Sequence, residues 1–336
     1  MIVLETMKRT EVCITIDTEF SIAGAFADPD RSQPLAGPMV YGTVDDQEQG
    51  LGFLLRCFER YGVSATFFVE TLHTAFFGPE PMGLVVRRIL DAGQDVQLHV
   101  HPVWLTFEEP RWRELLKTRP PNDTLVGRPV DESARILRAG VETLRGWGAP
   151  PVALRTGNLV ADTNTYRAMH AAGLPVASNL GVGYAPPAER ELHVRGGRRR
   201  VHGVLEVPTL TFEDWRGPRI LTVTGTGEAE TRALLWAARR AGLETVVVLT
   251  HPFEFFKNRD DRYTRLRRNR VNQQRLEGLC RFLRENEEDF VSRSFGEASG
   301  EWLAAADTEC PAIRAPVLAS VSRFVENRVN DAIWLY

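Results

Sequence analysis

The sequence has no apolar run near the roughly twenty residues a helix needs to cross a bilayer. Its start, MIVLETMKRTEVCITI, lacks a basic segment followed by a long apolar one. No secretory signal is read there, and a cytoplasmic protein is the expectation. Cysteine is scarce: Cys13, Cys57, Cys280 and Cys310 are scattered and form no close pair. That spacing argues against a zinc knuckle or a redox pair and predicts reduced, mostly buried thiols. An excess of one charge is missing too. The 41 Lys and Arg residues face 44 Asp and Glu, a net charge of -3, so no polyanionic partner is implied. The most basic run, KNRDDRYTRLRRNRVNQQR at 257–275, has no aromatics at stacking intervals, which argues against nucleic acid. Neither a Gly-x-Ser-x-Gly elbow nor a lysine-bearing phosphate loop occurs.

What is present is a rhythm. With 336 residues, 43% of them hydrophobic, the chain can bury a large core. Strands are predicted over 11–16, 63–70, 95–100, 151–155, 174–179, 203–210, 243–250 and 290–295. Helices are predicted over 45–62, 80–93, 130–148, 162–173, 227–242 and 268–288, several of them stopped by a glycine. Strand, helix and glycine stop recur at least five times, which argues for an α/β fold with largely parallel strands. No interdomain linker interrupts it. One domain over 1–296 is expected, with a C-terminal extension over 297–336 that packs on the barrel or on a partner subunit. Homo-oligomerisation is left open.

In parallel α/β folds, ligands bind where strands end. The first strand ends in Asp17 and Glu19, the third in His99 and His101. The fourth ends in Arg155, with Asn158 just beyond, and the late strand VVVLT ends in His251. Three of the seven histidines and two carboxylates therefore fall at strand exits. Each alone has an ordinary structural explanation: a packed imidazole, a helix cap, a salt bridge. Together they carry more weight. A spacing of two in extended chain puts Asp17 beside Glu19, and His99 beside His101, on one side. Two imidazoles and a carboxylate suit a borderline divalent cation such as Zn²⁺, with a position left for water. A second carboxylate could take the water's proton, and a further histidine could protonate a leaving group. This is the constellation of metal-assisted hydrolysis of an acyl bond.

These residues resemble the polysaccharide deacetylase family, the NodB-homology carbohydrate esterases, and in particular divergent members whose first motif reads TIDTE. The resemblance spans roughly 10–255 and implies a distorted (β/α)7-like barrel holding one divalent metal, usually zinc. It implies hydrolysis of an acetyl group on a sugar, N-acetyl ahead of O-acetyl. By it, Asp17 is the catalytic base and Glu19 a metal ligand. His99 matches the first histidine of the second motif; the second would fall at Val103, which leaves His101 as the local candidate ligand. Arg155 in LRTGN matches the third motif's arginine and would pair with Asp17. Leu249 in VLTHP would line the acetyl pocket, with His251 as general acid. The fourth motif has no clean counterpart, although Asn179 and Glu206 stand nearby. Asn158 and the loop aromatics Trp104 and Phe253 are expected to contact substrate. That substrate is a small molecule or oligosaccharide, with a nucleotide- or lipid-linked sugar among the candidates. Two other readings stay open: a carbohydrate- or partner-binding protein without catalysis, and an amide hydrolase of a non-sugar compound.

Overall fold

Nine consecutive residues, Thr10–Thr18, are buried along their whole length. Such a strand must be paired on both edges and covered on both faces. It is β1 of the structure, a computed structural model that describes residues 8–332. The other elements follow in order: α1 (Leu51–Tyr61), β2 (Ala65–Glu70), α2 (Glu80–Asp91), β3 (Asp95–Val100), α3 (Val130–Gly146), β4 (Ala153–Thr156), α4 (Thr163–Ala172) and β5 (Val176–Ala177). Then come β6 (Arg199–Val201), β7 (Val204–Glu206), β8 (Thr211–Asp214), β9 (Gly217–Ile220), α5 (Glu228–Arg240) and β10 (Thr245–Thr250). The chain closes with α6 (Arg270–Glu285), β11 (Phe290–Ser292), α7 (Phe295–Ala304) and α8 (Val317–Ala332).

The main sheet runs β10-β1-β2-β3-β4-β5-β7-β6, and β11 also pairs with β1. Every pairing is parallel except β6 with β7. After β7 the chain reaches back to the free edge of β10. Thr209 bridges Val247, and Thr222 bridges Leu249, both in parallel. The sheet is thus a curled, distorted barrel, the α/β architecture expected. No helix among the described residues is long and apolar enough to cross a membrane.

Alternation within strands sorts the core into two shells. Val12, Ile14 and Ile16 join the larger cluster shared with the helices. Cys13 joins Phe68, Ala153, Val176, Leu205 and Val247 in a second one. Phe295, Ala298 and Trp302 of α7 complete that inner cluster, and the Trp302 indole donates to Glu11 Oε2 at 2.7 Å. Helix α7 therefore plugs the end of the barrel where β1 begins. It starts at Phe295, one residue before the expected end of the barrel domain.

The structure departs from the sequence reading in three places. The helix expected from 45 begins at Leu51 instead, because Asp45 and Asp46 adopt φ of 50° and 58° and turn a small hairpin. Aspartate tolerates this left-handed region better than most residues. Strands β8 and β9 form an unforeseen antiparallel hairpin. Strand β6, antiparallel to β7, is likewise absent from the predicted strands, and the last residues of the expected C-terminal extension, 333–336, lie outside the described residues.

Candidate active site

Parallel register brings the strand exits abreast. Glu70 pairs with His99, and His99 with Arg155, while Ile16 pairs with Thr250. The inward residues of β1, β3, β4 and β10 therefore end together: Asp17 and Glu19, His99 and His101, Arg155, and Leu249 followed by His251. Asp17, Glu19, His99, His101, Leu249 and His251 line one cavity of about 610 Å³.

Glu19, His99 and His101 offer one donor atom each, all within 4.8 Å of one another. Glu19 Oε2 lies 2.9 Å from His101 Nε2 and 4.0 Å from His99 Nε2. The second nitrogen of each ring is occupied. His99 Nδ1 is 2.8 Å from the Arg155 carbonyl oxygen, and His101 Nδ1 is 2.7 Å from Asp123 Oδ2. An acceptor on Nδ1 fixes the tautomer and turns the Nε2 lone pair toward the centre, the support a metal-ligating histidine needs. The donor set and its supports thus fit a divalent cation. Burial opposes charge on both Glu19 and His101, but their mutual attraction outweighs it. Glu19 is held down at about 2 and His101 is raised well above its ordinary value. Burial outweighs the opposing charge of Asp17 and holds His99 below its usual range. Glu70 anchors the backbone here: it accepts from the N–H of His101 at 2.7 Å and of Leu72 at 2.6 Å. Burial pushes it up to about 8.

Arg155 is fully buried and spends its donors on fixing Asp17. Nη1 donates to Asp17 Oδ1 and Thr15 Oγ1, both at 2.8 Å. Nη2 and Nε donate to Ser178 Oγ and the Ser178 carbonyl. Asp17 Oδ2 is left facing His251 Nε2 at 4.0 Å. On the far side of that ring stands Glu254, 3.2 Å from Nδ1. Burial disfavours charge on His251, yet the hydrogen bond and charge of Glu254 prevail and raise it to about 9.

The remaining expected residues divide. Leu249 lines the cavity at 5% exposure, and Phe253 lines it while stacking on His251 at 4.8 Å. Asn158 also lines it, donating Nδ2 to Asp123 Oδ2 at 2.9 Å. Trp104 does not line this cavity. It is 1% exposed, packed against His73, Phe77 and Phe107, so it supports the loop after β3 from behind. Val103 is buried. Glu206 and Asn179 are structural: Glu206 accepts from Tyr166 and the Asn179 and Leu180 N–H groups, and Asn179 Oδ1 from the Thr156 N–H.

Two residues escaped the sequence reading. Glu254 lies three residues after His251, in HPFE, a spacing that could have been noticed. Asp123 sits in a loop 22 residues from its histidine, with no local pattern to reveal it.

No family model matches the sequence, and no curated protein matches it. Solved structures do share the fold. One, from Mycobacterium smegmatis and provisionally named a polysaccharide deacetylase, has a TM-score of 0.54 at 20% identity, covering 94% of this chain and 98% of its own. Another, from Parabacteroides distasonis and provisionally named a glycoside hydrolase/deacetylase, has a TM-score of 0.53 at 9% identity over 90% and 73%. A 4-alpha-glucanotransferase from Thermococcus litoralis has a TM-score of 0.51 at 10% identity, over 92% of this chain and 42% of its own. At these identities the likeness is one of fold, and that fold is one in which polysaccharide deacetylases are built.

Proposed function

We propose that this chain is a metal-dependent hydrolase that removes an acetyl group, N-acetyl in the first instance, from a sugar or a sugar-containing intermediate. The observation that carries the reading is the convergence of a three-donor cation site, a braced carboxylate and a charged histidine on one cavity. The names borne by the fold's deacetylase neighbours support the same chemistry.

Glu19, His99 and His101 would hold the ion, for which zinc is our choice given one oxygen and two imidazole donors. When bound, it supplies a Lewis acid that polarises the acetyl carbonyl and acidifies a water. Asp17 Oδ2 accepts that water's proton as it attacks, while Arg155 keeps the other oxygen in place. His251 delivers a proton to the departing nitrogen or oxygen, and the Glu254 charge keeps the ring protonated until then. Leu249 and Phe253 exclude solvent beside the acetyl methyl. Residues 1–296 carry this chemistry in our reading, and the following segment supports it.

The test combines elemental analysis of untagged protein with an acetate-release screen on N-acetylated amino sugars. About one divalent ion per chain and acetate release are expected. Asp17→Asn should lose turnover by at least about a hundredfold, the scale of a general base, and retain its metal. Loss of metal in that variant would move Asp17 into the ligand set. Metal-loaded protein that releases acetate from no acetylated sugar would sink the reading.

A further inference from the structure

The hairpin β8–β9 brings a cation to the cavity that the chemistry above does not use. Arg219 lines the cavity between Pro218 and Ile220. Its Nη2 donates to the Gly225 carbonyl at 3.1 Å, and its Nε is buried without a hydrogen bond. The carboxylate in ion-pair reach is Asp214, whose Oδ2 lies 3.8 Å from Nε, too far for a hydrogen bond. That oxygen already accepts from Arg323 Nη2 at 2.8 Å. Arg323 comes from α8 and also spans both oxygens of Glu230 at 3.0 Å. The cluster thus sets three guanidiniums, Arg216, Arg219 and Arg323, against two carboxylates, Asp214 and Glu230. Burial and the Arg323 charge pull Arg219 below its ordinary value, as expected of a cation short of an anion. With Nε buried and Nη2 held by Gly225, the outer part of the guanidinium can still give a charge-assisted hydrogen bond to a carboxylate or phosphate oxygen.

We propose that Arg219 binds an oxyanion on the substrate, a phosphate or a carboxylate, so that the protein acts on anionic acetylated sugars ahead of neutral ones. The inference rests on the hydrolase reading of the same cavity. Arg323, by claiming Asp214, keeps Arg219 open for that anion.

Three probes test it at low salt on the metal-loaded protein: N-acetylglucosamine, N-acetylglucosamine 1-phosphate and N-acetylglucosaminuronate. Acetate release gives kcat and KM, and calorimetry gives binding. At least one anionic sugar should show a KM and a Kd about 10- to 100-fold below those of the neutral sugar, the scale of a charge-assisted hydrogen bond. Arg219→Gln should erase that gap with kcat kept within about threefold, because the group binds and does not react. Arg219→Lys should keep part of it. A gap with the phosphate alone, or with the uronate alone, assigns the anion. Equal KM and Kd for charged and neutral sugars, or a gap that survives Arg219→Gln, overturns the proposal and leaves the hydrolase intact. Arg219-dependent binding of the anionic sugars without acetate release would instead keep the anion site and remove the hydrolase.

Discussion

Glu254 reaches back over one turn to His251 and does two things there. Its Oε2 accepts from the His251 N–H at 3.2 Å and the Thr250 hydroxyl at 2.6 Å, while its Oε1 faces Nδ1. The backbone is thereby pinned together with the ring, and the ring is kept charged. The consequence is a pH profile. His251 at about 9 is protonated at neutral pH, and its acid form is lost as pH rises through that value. Turnover should therefore hold through neutrality and fall on the alkaline side. Glu254→Gln removes the charge that outweighs burial, so the alkaline limb should move down past neutral. At pH 8 kcat should drop about ten- to a hundredfold, within the range of general acid catalysis, with a smaller loss at pH 6. A limb that stays in place would show that His251 is not the proton donor. Asp17, Glu19, His99, His101 and His251 were legible at this scale because chemistry-bearing side chains in an otherwise apolar strand pattern stand out. Asp123 was not: a lone loop aspartate carries no signal until the chain folds it against His101.

At the scale of elements, alternation does the placing. A strand that buries Cys13 inward must also turn Thr15, Asp17 and Glu19 inward, and one that buries Ala153 must do the same with Arg155 and Gly157. Gly157 matters for the space it leaves. A Cβ there would fall 2.4 Å from His101 Nδ1, inside the imidazole ring's van der Waals envelope. Gly157→Ala should therefore displace the His101 ring from Asp123. Metal affinity should weaken by about 10- to 100-fold, the usual effect of losing a ligand's support. Competition with a fluorescent chelator measures it, with circular dichroism to verify that the variant is folded. Unchanged affinity would mean that His101 contributes little to holding the ion. The glycine stood in LRTGN for anyone reading the sequence, but the ring it accommodates belongs to another strand. The β8–β9 hairpin was harder to see. Its strands are four residues each, and Pro218 and Gly217 read as loop. Pattern gives out when elements are short and their pairing supplies most of the order.

At the scale of the whole molecule, the barrel is completed by chain that comes after its last strand. Helix α7 seals one end, and the segment leading to α8 runs beside β8, with the Glu213 N–H donating to Ile313 and the Ala315 N–H to Glu213, both at 2.9 Å. Arg323 then locks α8 to the hairpin and to α5 through Asp214 and Glu230, whose side chains are fully buried. Nothing in the sequence paired residue 323 with 214 or 230, because long-range ion pairs leave no periodic trace. Removing the guanidinium strands two carboxylates in the interior, so Arg323→Met should cost about 3–5 kcal/mol of stability at pH 7. The pH dependence has a definite sign. Burial raises the Asp214 carboxyl but the Arg323 bond outweighs it, and the net effect is a depressed value. Its contribution is full above the ordinary aspartate range and is lost as pH falls through the depressed value. Without Arg323, burial of Asp214 is opposed only by the Arg216 N–H and the more distant Arg219, so that carboxylate can escape part of the penalty by taking up a proton. The gap in urea midpoint between Arg323→Met and the parent should then be widest at pH 7 and narrow by pH 4. A gap of constant size would mean that α8 is held by packing alone, and that the charges around Asp214 do not govern the hairpin bearing Arg219.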